Sequence, residues 1–309
     1  DKDQLASVEA GSLLGDLCLT ADAGNYTPAT ASWLAQATGQ QLTEEFINAQ
    51  GSPLAQVTSK LRLSYRFAAY PGIGKLAEAV NSGQASLSQL QAIFAAYPLY
   101  PEQPADDQQI AANKASLNFI QLEKASQPNF LAPLKQLIKA GYSRYLSLVF
   151  NEQPASNHPE EMANWAKKVF AAHQSFQLLT AVRKGTFGVE ALNQLALASL
   201  KEMPQFNGRL ATNNSHWYNG RPVLVTRNDY SLKLMNGDLG ICLAEPNPKA
   251  NQPPVLRVAF ADGKGGIRWV LPSRLQEVET VFAMTVHKSQ GSEFTHTALV
   301  LPATDNPVL

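Results

Sequence analysis

The feature that most constrains the fold is an α/β unit whose strand pattern stops and later resumes. Residues 176–182 form an apolar run, two glycines follow, and residues 189–200 have apolar positions at helical spacing. Strand, glycine-containing turn and helix in this order predict an α/β unit. Strand-like apolar runs of the same kind return at residues 281–286 and 297–301. The sequence therefore predicts an α/β domain with a separate segment placed between its strands.

The intervening segment has a different pattern, with four short β-type runs between residues 221 and 271. Turn-forming sequences separate the runs, among them N-G-D at 236–238 and D-G-K-G-G at 262–266. Several short strands at this spacing are typical of a small β-barrel. We predict a barrel over residues 213–280, inserted into the α/β domain.

The charge of the chain is neutral overall but uneven. The 25 basic residues equal the 25 acidic ones, so no global field attracts nucleic acid or an anionic membrane. Between residues 209 and 274, however, nine basic and four acidic residues leave a surplus of five positive charges. This local surplus fits a nucleic-acid-binding face and fits a solvated surface equally well.

Other classes of protein are disfavoured by composition. Cys18 and Cys242 form no C-x-x-C pair, and the five histidines show no metal-ligand spacing, so we predict no disulfide scaffold and no metal site. No apolar run reaches the roughly 18 residues that a membrane span needs. We expect a cytoplasmic protein and, since the chain has no initiator Met, a fragment of a longer one.

The most informative string for chemistry is A-M-T-V-H-K-S-Q-G-S-E-F at residues 283–294, a short strand that opens into a polar loop. Loops at the carboxyl ends of strands are where open α/β sheets bind ligands. Lys288 supplies a point charge for phosphate, Gly291 permits close approach of a backbone, and Glu293 could accept a hydrogen bond from a ribose hydroxyl. An ordinary turn with a capping or buried His287 explains the same residues.

The string T-V-H-K-S-Q-G-S-E-F resembles motif V of the superfamily 1 DNA helicases, a loop that touches both single-stranded DNA and nucleotide in that family. Its hydroxyl, imidazole and ammonium groups come first, and its glycine and carboxylate follow. The resemblance therefore implies that Thr285, His287 and Lys288 contact DNA. The nucleotide would be contacted by the second half of the loop, namely Gln290, Gly291 and Glu293.

Three further strings resemble helicase motifs in the order of the family. Residues 1–11 resemble motif III, which implies that Gln4 senses the γ-phosphate of ATP. L-R-L-S-Y-R-F at 61–67 resembles motif IV, in which the arginine, here Arg66, reaches the same phosphate. The string at 178–193, with Y-N-G-R-P-V at 218–223 and N-G-D-L-G-I at 236–241, is similar to the RecD branch, the α subunit of exodeoxyribonuclease V. In that branch Arg183 and Asn193 would contact DNA.

The resemblance implies an α/β fold that is part of a RecA-like P-loop helicase with an inserted SH3-like barrel. Residues 1–58 would end the first motor domain, and residues 59–212 and 281–309 would form the second. ATP and Mg²⁺ would be used by the complete protein. The chain contains no G-x-x-x-x-G-K-[ST] loop, so we expect it to be inactive alone.

The resemblance also implies partners and a process. These are single-stranded DNA, the RecB and RecC subunits, 5′-to-3′ translocation, and double-strand-break repair and recombination. Two alternatives stay open on the sequence. One is a stand-alone RecD-like helicase without RecB and RecC. The other is a non-catalytic module that binds DNA or a protein through the barrel.

Overall fold

The computed structural model divides the chain into two compact units, Asp1–Gln121 and Leu122–Leu309. The residues that it describes are 13–61, 70–98, 117–122, 127, 129–210, 216–246 and 254–302. Gln4 and Arg66 lie outside these residues, so their predicted role at the γ-phosphate stays a prediction.

The described part of the first unit is helical and has a small core. Its helices are α1 (Leu13–Leu17), α2 (Pro28–Thr38), α3 (Pro53–Gln56), α4 (Pro71–Asn81) and α5 (Leu87–Ala96). Short polar residues set the helix starts: the Ser86 hydroxyl accepts from the N–H of Gln89, and the Gln89 side chain accepts in return from the Ser86 N–H. Large apolar side chains such as Trp33 and Leu61 are exposed in this unit.

The second unit contains a three-stranded parallel sheet with three long helices. The helices are α6 (Ala132–Asn151), α7 (Pro159–Gln174) and α8 (Val189–Lys201). The strands are β1 (Phe176–Thr180), β7 (Ala283–Thr285) and β8 (His296–Val300), in the order β7-β1-β8. These strands confirm the three apolar runs of the sequence: β1 and β7 are shorter than predicted, and β8 begins one residue earlier. Helix α7 was not predicted.

Strand β1 lies in the middle of this sheet and is buried along its whole length. Leu178 is opposite Ala283 on one side and Ala298 on the other. Helices α6 and α7 contact β1, and α8 contacts β7. Because both faces of β1 are buried, its side chains do not alternate between apolar and polar, and Gln177 and Thr180 are its polar residues.

The segment between α8 and β7 forms a five-stranded antiparallel sheet. Its strands are β2 (Arg221–Val225), β3 (Leu239–Glu245), β4 (Val255–Ala261), β5 (Ile267–Val270) and β6 (Val278–Thr280). The order is β5-β4-β3-β2-β6, so β5 and β6 are the two edges. Between the described residues of β5 and β6 no pairing closes the sheet, and the predicted closed barrel is not found. Short strands separated by turns predict antiparallel pairing, but they occur in open sheets as well as in barrels.

Two buried tyrosines of α6 connect the helix to both sheets. The Tyr142 hydroxyl donates to the carbonyl of Phe282, the residue before β7. The Tyr145 hydroxyl donates at 2.5 Å to the carbonyl of Gly220, the residue before β2. Both side chains belong to the main core cluster, which also contains Ile241 of the antiparallel sheet. One helix thus holds the start of a strand from each sheet.

None of the helices in the part of the chain that the structure describes is long and apolar enough to cross a membrane.

Candidate functional site

Two loops follow neighbouring parallel strands and lie at the same edge of the sheet. The last residue of β1, Thr180, is opposite the last residue of β7, Thr285. The loop after β1 carries Arg183, and the loop after β7 carries the sequence string that starts at Thr285. Because carboxyl ends of adjacent parallel strands share an edge, residues 100 positions apart in sequence form one surface.

The loop after β7 begins with a short 3₁₀-helix that is capped by the last residue of the strand. The helix spans Val286–Ser289, and the Thr285 hydroxyl accepts from the N–H of Lys288 at 3.4 Å. The Ser289 hydroxyl donates to the carbonyl of Val286 at 2.8 Å. Gly291 then takes φ = +81°, a conformation that glycine adopts at little cost. Thr285, rather than His287, caps the helix.

The polar side chains of this loop face solvent. His287, Gln290 and Glu293 are exposed, and Lys288 is partly buried. A Cβ built on Gly291 would meet no atom within 4 Å. The loop therefore carries an imidazole, an ammonium, an amide and a carboxylate at this edge of the sheet, with open space beside Gly291.

Hydrogen bonds within the loop after β1 hold it compact. The Thr180 hydroxyl donates to the carbonyl of Phe187 at 2.6 Å, and the N–H of Gly188 donates to the carbonyl of Gly185 at 2.9 Å. A Cβ on Gly188 would lie 2.6 Å from the carbonyl oxygen of Arg183. Only glycine fits there without displacing the backbone that carries Arg183.

A single carboxylate joins the two loops. One oxygen of Glu279, on β6, lies 3.1 Å from Nζ of Lys288. The other lies 3.7 Å from a guanidinium nitrogen of Arg183. The two predicted DNA-binding cations thus share one acidic residue of the antiparallel sheet. No sequence pattern marked Glu279, because it is 96 residues from Arg183 and belongs to a three-residue strand.

Apolar contacts also fix the loop after β7 against the antiparallel sheet. Leu179, Leu224, Val281 and Met284 form a buried cluster. The partly buried side chains packed against this cluster are Leu239, Val286 and Phe294. The loop therefore rests on residues of β2 and β3.

Asn193 was expected at the DNA, but the structure places it in the interior. Its side chain is 9% exposed. Nδ2 donates to the carbonyls of Val189 and Ala283, both at 2.9 Å, and Oδ1 accepts from the N–H of Ala283 at 3.0 Å. Both amide protons are already used, so the expected direct contact with DNA is corrected to a positioning role for β7.

Part of the surplus of positive charge between residues 209 and 274 is buried and does not contribute to an exposed surface. Arg221 is 8% exposed, and burial lowers the pKa of its guanidinium. It donates to the Thr280 hydroxyl and to the carbonyl of His216, and it stacks over the Trp217 ring at 4.6 Å. Tyr218 is also buried. Of the aromatic and basic side chains at 216–221, Arg221 and Tyr218 thus serve packing.

Two further cations of this segment have partners within it. Arg257 pairs with Glu245, and Arg268 donates to the carbonyls of Leu232 and Lys233.

No group of three or more His, Cys, Asp or Glu side chains that could hold a metal occurs among the described residues.

Comparison with known proteins finds a DNA helicase among the named relatives of this chain. No family model matches the chain. It is 29% identical over 133 residues, or 43% of its length, to the "ATP-dependent RecD2 DNA helicase" of Deinococcus radiodurans, of which the match covers 17%.

Similarity to RecD subunits extends over the whole chain. The chain is 33% identical over 313 residues to the "RecBCD enzyme subunit RecD" of Haemophilus influenzae, covering 100% of this chain and 42% of that protein. The corresponding subunit of Mycolicibacterium smegmatis is 29% identical over 309 residues, covering 100% of this chain and 40% of that protein. The resemblance to RecD is confirmed, and the chain spans about two fifths of the length of these curated relatives.

Proposed function

We propose that this chain is the DNA-gripping and nucleotide-sensing part of an ATP-dependent DNA helicase subunit of the RecD type. The observation that carries the proposal is the convergence of two loops, after β1 and β7, that brings Arg183 within reach of the same carboxylate as Lys288. The names of the relatives that align over the full chain support it.

On the DNA side, the cationic side chains of the two loops would neutralise backbone phosphates. Arg183 and Lys288 are suited to this because charge-assisted hydrogen bonds to phosphate are strong and independent of base sequence. The exposed imidazole of His287 adds a donor beside Lys288. Thr285 and Asn193 would act by holding the loop and β7 in place.

On the nucleotide side, Gln290, Gly291 and Glu293 would face ATP, while Gln4 and Arg66 would reach its γ-phosphate. ATP with Mg²⁺ supplies the free energy for movement along DNA. An arginine delivered to a transferring phosphate contributes about 10³–10⁵ in rate, so loss of Arg66 would abolish turnover without unfolding the protein.

The proposal extends to the whole protein. The complete protein would translocate 5′-to-3′ on single-stranded DNA. It would assemble with RecB and RecC as exodeoxyribonuclease V, which would act in double-strand-break repair and recombination. Three RecD subunits align over 100% of the chain, whereas the match to a RecD2 helicase covers 43% of it, which favours the subunit over the stand-alone helicase. The antiparallel sheet would be the inserted, SH3-like domain over residues 213–280. The motor-domain boundaries at 58 and 212 and a cytoplasmic location are parts of the same proposal.

Binding of single-stranded DNA by the full-length protein tests the DNA side. Arg183→Ala and Lys288→Ala should each weaken binding of a labelled oligo-dT, and each should reduce the salt slope by up to about one unit. Lys264→Ala is a matched control, because this exposed lysine lies in the turn between β4 and β5. An effect of Lys264→Ala alone would instead favour the module that binds DNA through the antiparallel sheet.

Kinetics test the nucleotide side. Glu293→Ala should raise the KM for ATP and leave oligo-dT affinity measured without nucleotide unchanged. A loss of DNA affinity with an unchanged KM would assign Glu293 to the DNA side and contradict the proposed division of the loop.

A further inference from the structure

Glu279 is the only acidic residue among the described ion pairs that contacts both loops of the candidate site. Its two oxygens are divided between Lys288 and Arg183. It is contributed by β6, an edge strand of the antiparallel sheet, whereas both cations are in loops of the parallel sheet. A carboxylate in this position resembles the anion that the two cations are proposed to bind.

We propose that Arg183 and Lys288 form one binding site for a single backbone phosphate of DNA, and that Glu279 occupies this site until the phosphate displaces it. This inference rests on the proposed function and adds a residue that sets its affinity. A carboxylate and a phosphodiester both offer two anionic oxygens to a guanidinium and an ammonium. One phosphodiester carries one negative charge, so the exchange leaves the charge at the pair unchanged.

The exchange is feasible because neither ion pair is buried. The side chains of Arg183, Glu279 and Lys288 are 71%, 31% and 27% exposed. The pair with Arg183 contributes little free energy, since this side chain is largely exposed and water solvates the guanidinium well when the pair separates. A phosphate can therefore replace the carboxylate without opening the fold, and Glu279 can turn to solvent.

The placement of Glu279 also gives the antiparallel sheet a role in the grip on DNA. Leu224 of β2 is the direct partner of Glu279 in the pairing with β6, and Leu224 packs in the cluster that supports the loop after β7. Glu279 and the apolar cluster thus connect the same sheet to the same loop. The carboxylate would lower affinity for DNA and keep the two cations close together.

Oligo-dT binding by the full-length protein without nucleotide tests this inference. Glu279→Gln removes the competing charge and should increase affinity at low salt by about 2- to 10-fold. Glu277→Gln is the matched control: it removes the same charge two residues away, and among the described residues Glu277 makes no ion pair. Its effect should be smaller than 2-fold. Equal effects of the two variants would overturn the inference.

A thermodynamic cycle separates this inference from the proposed function. In an Arg183→Ala/Lys288→Ala background, Glu279→Gln should no longer change affinity, because the site for which it competes is gone. An undiminished effect there would overturn the inference. If the double variant binds DNA as tightly as the unmodified protein, the proposed grip itself fails. If the double variant binds DNA weakly but Glu279→Gln made alone does not change DNA affinity, the proposed grip stands and only the role of Glu279 fails.

A fluorescent ATP analogue, measured without DNA, identifies the phosphate. Its affinity should be unchanged by Glu279→Gln. A gain for the analogue with none for oligo-dT would assign the two cations to nucleotide and overturn the inference.

Discussion

The side-chain amide of Asn193 pairs with both backbone polar groups of Ala283. Nδ2 donates to the carbonyl oxygen at 2.9 Å, and Oδ1 accepts from the N–H at 3.0 Å. Because β7 is an edge of the described parallel sheet, these groups face no neighbouring strand there. The amide supplies the partner that a strand would have provided and ties α8 to the strand that leads into the loop of Lys288.

Replacing Asn193 should therefore cost stability. Asn193→Ala leaves a buried N–H and a buried carbonyl of Ala283 unpaired, so we expect a loss of about 2–4 kcal/mol in the free energy of unfolding. Chemical denaturation of the purified protein measures it. Gln194→Ala, at an exposed position of the same helix, should change stability by less than about 0.5 kcal/mol. Similar losses for both variants would contradict the assigned role of Asn193.

His173 should make the protein less stable in mild acid. It is 1% exposed between the rings of Tyr142 and Tyr145, and neither ring nitrogen has a hydrogen-bond partner among the described residues. Burial lowers its pKa from 6.5 to about 4. The unfolded chain therefore binds a proton that the folded chain does not, and stability falls as the pH drops from about 6.5 to about 4. The full loss is about 3 kcal/mol.

Two variants check this dependence. His173→Phe and His173→Gln should both flatten the stability profile between pH 4 and pH 6.5, because neither side chain titrates. His173→Gln should be the less stable of the two, since it buries a polar group without a partner. A profile that keeps its slope in both variants would place the titrating group elsewhere.

Asn and Ala substitutions should rank in opposite order of stability at the two glycines of the loop after β1. Gly188 is close-packed, with a built Cβ 2.6 Å from the Arg183 carbonyl, whereas Gly185 has open space and φ = +89°. Gly185→Asn should be tolerated better than Gly185→Ala, because Asn adopts positive φ more readily. Gly188→Asn should be worse than Gly188→Ala, because the larger side chain increases the clash. Melting temperatures of the four variants provide the test, and the same order at both sites would refute it.

Cys242 should resist thiol reagents in the folded protein. It is fully buried opposite Arg221, and burial raises the pKa of its thiol to about 12. Since the thiolate is the reactive form, alkylation near pH 8 should modify Cys18, which is partly exposed, well before Cys242. Peptide mapping by mass spectrometry after a short iodoacetamide pulse measures both. Rapid labelling of Cys242 without denaturant would show that β2 and β3 separate readily.

The sequence by itself determined seven of the eight described strands and the polar loop of this protein, and it missed β6. The apolar runs that became β1, β7 and β8, and the four runs that became β2 to β5, were predictable because strand patterns and turn residues are local properties. The string 285–294 was likewise recognisable, and the resemblance of the chain to RecD is confirmed by relatives that align over its whole length.

Only the tertiary structure decided how these parts meet. Whether five antiparallel strands close depends on where β5 and β6 lie, and the described sheet leaves them at opposite edges. Asn193 was predicted at DNA because its sequence context was informative, yet its amide is used by a strand 90 residues away. Glu279 carries no local signal, and its importance comes from two cations that approach it from other loops. Pairings of this kind depend on distances across the fold, which the order of residues along one strand does not encode.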